Sequence, residues 1–173
     1  MRAMFLAAGL AGVVLSTAGL STAAQAAAPH AVSAVSVTIG PELQKKADKY
    51  GQRDLDDLAK ELKDDVVRAL QRKGGLAAGG GELRLVLADA TPNHPTFKQL
   101  GDTPGLSLQS FGLGGARIEG TLVRPDGTSE PVRYEWKESE LWLARTQSTW
   151  GDADHTFEMF ADRVAHGEQL ASR

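Results

Sequence analysis

Between Ala116 and Trp136 the sequence ARIEGTLVRPDGTSEPVRYEW alternates with a period of two, and no other stretch of the chain limits the fold so tightly. Ala116, Ile118, Gly120 and Leu122 fall on one side of an extended chain, while Arg117, Glu119 and Thr121 fall on the other. Val132, Tyr134 and Trp136 repeat the pattern beyond Arg124-Pro125-Asp126-Gly127. In that linker Pro has its φ preset, Asp can accept from the backbone two residues on, and Gly tolerates positive φ. The stretch therefore predicts a β-hairpin with one apolar face, and that face needs a second layer to cover it.

Two amphipathic segments supply the cover. From Asp54 to Lys73, Leu55, Leu58, Leu62, Val66, Ala69 and Leu70 recur at steps of three and four. Acidic residues open this segment, basic ones close it, and Gly74-Gly75 follows, so charge and stop signal both fit a helix. The run Lys60-Glu61-Lys63-Asp64-Asp65 is read as its solvated outer face. A second helix is expected from Asp152, with Ala153, Phe157, Phe160, Ala161 and Val164 inward, Asp152 or Asp154 as cap, and Gly167 as terminator before a polar tail.

Two further strands complete the inventory. Val35, Val37 and Ile39 alternate with Ser36 and Thr38, and Leu83, Leu85 and Leu87 lie in a run ending near Ala90. Strand, helix, strand is the order of a crossover unit, so these two strands are expected to run parallel. The fold prediction is a two-layer α/β sandwich of order β-α-β-β-β-α, with a mixed or mainly antiparallel sheet and both helices on one face. Glu42 to Tyr50 is left open between helix and irregular chain, and Leu141-Trp142-Leu143 between strand end and short helix.

The first 26 residues carry Arg2, an apolar run from Phe5 to Leu20, and Ala24-Gln25-Ala26, which together read as a secretory signal peptide. The run is shorter than the ~20 residues of a spanning helix, and no second one follows. Residues 27–34 read as a tether and 35–170 as a single domain. The chain has no Cys, so an exported domain of this sequence must hold together through its core alone. Beyond residue 26 there are 18 basic and 22 acidic residues, a net charge of −4 that argues against binding nucleic acid.

Thr91 to Gly115, TPNHPTFKQLGDTPGLSLQSFGLGG, is longer than a compact domain normally leaves without regular structure. Its apolar residues, Phe97, Leu100, Leu106, Leu108, Phe111 and Leu113, point to a loop that packs on something, and it can accommodate a short strand at 106–111. His94, Phe97, Lys98, Asp102, Leu106 and Phe111 are the candidate binding residues of this loop. Gly112-Leu113-Gly114-Gly115 opens a strand rather than a helix, so it reads as a backbone turn and not as a phosphate cradle. Ser107 lacks the setting of a nucleophile elbow. His155 and His166, eleven residues apart, would stand ~16 Å apart on a helix, too far to share a metal. No catalytic residue, metal or cofactor is assigned. Trp136, Trp142 and Trp150 with Tyr134 form the aromatic set, read chiefly as core beneath the last helix.

With these residues in view, the order of elements resembles small bacterial cell-envelope domains of the lipoprotein type, and distantly the auxiliary lipoproteins of ABC-type transport systems. The resemblance is carried by the strand and amphipathic helix at the start, GELRLVLADATPNHPTF, GGARIEGTLVRPDGTSEPVRYEWKE and TWGDADHTFEMFADRVA. It implies a sheet backed by helices and a role in the envelope without catalysis. The lipid-bearing Cys of such proteins has no counterpart here, so no lipid tether carries over. The function expected is a non-catalytic periplasmic or secreted module that binds or assembles with an envelope protein through the 91–115 loop. The alternative is a small secreted hydrolase using His94, Asp102 or Ser107. The oligomeric state is left open.

Overall fold

A computed structural model describes residues 30–171, and the stretch read as a signal peptide lies outside them. Four strands form one sheet in the order β1-β2-β3-β4: β1 (Val32–Ile39), β2 (Gly81–Thr91), β3 (Gly115–Val123) and β4 (Ser129–Lys137). The first pair is parallel, joined by the long helix α3 (Gln52–Lys73), and the other two pairs are antiparallel. Two short helical turns, α1 (Pro41–Gln44) and α2 (Ala47–Tyr50), precede α3 and place Leu43 and Tyr50 in the core. The remaining helices are α4 (Phe97–Asp102), α5 (Leu141–Ala144) and α6 (Gly151–Ala165).

The two-layer α+β arrangement follows from the patterns in the chain. The inward set of the hairpin, Ala116, Ile118, Leu122, Val132 and Tyr134, is buried, whereas Arg133 and Glu135 are exposed on the opposite face. At the turn, Gly127 takes a φ of 83°, and the Asp126 carboxylate accepts from the Thr128 N–H (2.9 Å) and hydroxyl (2.6 Å). Those donors hold the Asp126 carboxyl below the usual carboxylate range. Every residue of the expected stripes of α3 and α6 is buried, and the two helices pack side by side on one face of the sheet around a common core.

Four expectations need correction. The first strand opens at Val32, inside the stretch read as a tether, because its N–H reaches the Gly75 carbonyl (2.8 Å) and its side chain is fully buried. The chain after Gly167 is more than a polar tail: Leu170 is buried, and its carbonyl accepts the Arg133 N–H at the β4 edge (2.8 Å). No strand forms at 106–111. The carbonyls of Leu108 and Ser110 instead face the His94 ring nitrogen at 3.1 and 2.9 Å. Trp136 is only half-buried, with its ring edge-on to His155 at 5.1 Å, and Trp142 is 70% exposed on α5.

Candidate functional site

The long loop is anchored at one buried polar knot. Asn93, 1% exposed, accepts the Asp152 N–H on its side-chain oxygen (2.9 Å), and its amide donates to the Asp152 carboxylate (2.5 Å) and the Gly112 carbonyl (3.2 Å). Its own backbone N–H reaches Thr149, and its carbonyl accepts from Gly112, both at 2.8 Å. The Asp152 carboxylate also takes the Gly114 N–H at 3.0 Å. Asn93 therefore caps α6 from 59 positions away, correcting the expectation that Asp152 or Asp154 would cap it. The backbone of Gly114 runs so close that an added Cβ would lie 2.7 Å from the Asn93 side-chain oxygen and 2.9 Å from the Asp152 Cβ. Asp152 sits beside the first-turn N–H groups of α6, where a negative charge is favoured.

With its root fixed, the loop leans over the N-terminal ends of α3 and α6 and walls off a cleft of about 350 Å³. One wall is α3, contributing Asp54, Asp57, Leu58 and Glu61, whose spacing of three and four puts them on one stripe. Asp154 on α6 and Ser148, Thr149 and Trp150 before it form the second wall. The loop closes the third side with Pro95, Thr96, Phe97 and Leu108. A capping box at Thr96 and Gln99 starts α4 and fixes the stem from which Phe97 projects. Phe97 is 85% exposed and Leu108 60% exposed.

The electrostatics of the cleft are one-sided. Among the described residues four carboxylates line it and no Lys or Arg does. Asp54 accepts the indole N–H of Trp150 at 3.2 Å, and that ring stands edge-on to Tyr50 at 5.5 Å. Among the described residues Asp57 has one ion-pair partner within 4.0 Å, the exposed Arg53 at 3.8 Å. Among the described residues Glu61 and Asp154 form no ion pair within 4.0 Å. Burial, and then repulsion from Glu61, Asp65 and Glu158, push the Asp154 carboxyl up to about 7. Asp65 is likewise raised by burial, even with Arg68 beside it.

The six loop residues singled out in the sequence are divided among three places. Phe97 stands at the cleft. His94, Leu106 and Phe111 share a separate shallow hollow of about 170 Å³, with the His94 and Phe111 rings 6.4 Å apart. Lys98 and Asp102 pair with each other along α4 at 2.6 Å. Among the described residues no hydrogen bond joins any two of His94, Asp102 and Ser107; the Ser107 hydroxyl accepts from the Gln109 N–H instead. The cleft adds Asp54, Asp57, Glu61, Asp154 and Trp150, none of which stood among the loop candidates. Their signal was available in part, as the i, i+3, i+7 spacing of Asp54, Asp57 and Glu61 along α3.

Among the described residues there is no cluster of three or more His, Asp or Glu side chains arranged to hold a metal ion, and no helix long and apolar enough to cross a membrane. Neither a protein-family model nor a curated protein sequence matches the chain.

Proposed function

We propose that this protein is a non-catalytic binding or assembly module, exported to the cell envelope, that engages a protein partner at the cleft between α3, α6 and the 91–115 loop. One observation carries the reading: Phe97 and Leu108 are held at 85% and 60% exposure on the rim of an open cleft, in a loop pinned by buried hydrogen bonds. A large apolar side chain presented to water on an ordered stem costs free energy that contact with a partner recovers. Its placement there is pre-organisation, which lowers the entropic cost of binding.

The export half of the proposal rests on the basic start, apolar run and Ala24-Gln25-Ala26 of the first 26 residues. N-terminal sequencing of the protein recovered from cell fractions tests it, with a mature start at Ala27 outside the cytoplasm as the expected result. For the binding half, affinity capture from envelope extract is compared between the parent and Phe97→Ser/Leu108→Ser. A partner retained by the parent and lost by the variant supports the reading. Turnover of esterase, glycosidase or peptidase substrates that His94→Ala abolishes would replace it with the hydrolase.

A further inference from the structure

We infer that the occupant of the cleft is a basic side chain carried on an apolar segment of a partner polypeptide, its cation set among Asp54, Glu61 and Asp154 and its apolar neighbours set against Phe97, Leu108 and Trp150. The inference deepens the proposed function and rests on the cleft being the binding surface.

The geometry selects this class by elimination of complementary charge. At about 350 Å³ the cleft is near the small end of ligand sites, roomy enough for one long side chain and its neighbours rather than a folded element. Its exposed apolar surface is on Phe97 and Leu108 of the loop, with the half-buried Trp150 in the second wall, while the carboxylates come from α3 and α6. An anionic or purely apolar occupant would desolvate those carboxylates without compensation. A cation both neutralises them and can pack against the indole of Trp150. Among the described residues Glu61 and Asp154 form no ion pair within 4.0 Å, and Asp154 faces further like charge from Asp65 and Glu158. A positive group entering between them relieves that repulsion.

A metal ion does not match this lining, since the acidic groups are spread along a stripe of α3 and across to α6 and do not converge as a ligand cluster. A guanidinium or ammonium group at the end of a flexible stem tolerates such a spread, because its donors point several ways.

The test is fluorescence anisotropy with three labelled peptides, Gly-Leu-X-Phe-Gly, in which X is arginine, its uncharged isostere citrulline, or glutamate. The arginine peptide is expected to bind about tenfold or more tighter than the citrulline peptide, and the glutamate peptide weakest. Glu61→Gln/Asp154→Asn should erase the arginine preference while leaving the citrulline peptide unaffected. Glu135→Gln, on the far face of the sheet, should change nothing. Phe97→Ser/Leu108→Ser should weaken the arginine and citrulline peptides alike. Equal binding of all three peptides, still dependent on Phe97, overturns the charge selection and leaves the binding surface standing. No binding of any peptide overturns the inference, and the capture experiment with the Phe97 and Leu108 variant then decides separately whether the surface stands.

Discussion

Replacing Asp154 by Asn should make this protein more stable, and by an amount that depends on pH. The Asp154 carboxyl is held at about 7 in the fold, against an ordinary value near 3.8. The folded protein therefore holds that proton more tightly than the unfolded chain does. Below pH ~4 both states are protonated and the residue costs nothing. Between pH ~4 and ~7 the unfolded chain ionises first, so the cost of folding grows, and above ~7 it is fully present. The full gap corresponds to ~4 kcal/mol, and screening of a half-buried group brings it to about 2 kcal/mol. Asparagine keeps the shape and gives up no ion pair, since Asp154 makes none among the described residues. Thermal unfolding of parent and variant should coincide at pH 4 and separate by roughly 4–8 °C at pH 8, with the variant higher. A variant that melts at or below the parent at pH 8, or a separation that does not change with pH, would refute the reasoning.

Other outcomes follow from the same geometry. Asn93→Ala removes the cap of α6 and strands the buried Asp152 carboxylate, so chemical denaturation should show a loss of ~2–4 kcal/mol. Gly114→Ala drives a methyl group into Asn93 and Asp152 and should cost ~1–3 kcal/mol by the same assay, with hydrogen exchange of the 91–115 loop rising in both variants. Trp136→Ala, truncating a half-buried ring, should lower stability by ~1–3 kcal/mol, short of what a fully buried Trp would cost. Trp142→Ala, at 70% exposure, should leave the melting curve within about 0.5 kcal/mol of the parent.

The layers of this fold were legible because each rests on a local period. The hairpin shows its alternation and its Pro-Asp-Gly turn, and the stripes of α3 and α6 show their steps of three and four, so each could be read without knowing its neighbours. The site was legible only in fragments. Phe97 and Leu108 announced a loop with apolar content, but not which of them would face a cleft and which, like Leu106 and Phe111, would turn to the other side. Asn93 looked like any polar loop residue, and Asp152 like its own helix's cap; their union depends on a chain return across 59 positions that no local pattern encodes. Glu61 was hidden in a charged run that is mostly the solvated face it resembles: Lys60 and Asp64 pair there at 2.7 Å. Glu61, itself exposed, stands one step around the helix, next to the Leu58 and Leu62 stripe, where the loop and α6 arrive from elsewhere in the chain.

Whether the cleft is where this protein meets a partner is read out by a photoreactive residue substituted at Phe97 and irradiated in cells producing the protein. A discrete covalent adduct with another polypeptide is expected at position 97, and none from the same probe at Glu135, on the opposite face of the sheet. An absence of adducts at position 97, or the same adducts from both positions, would contradict it.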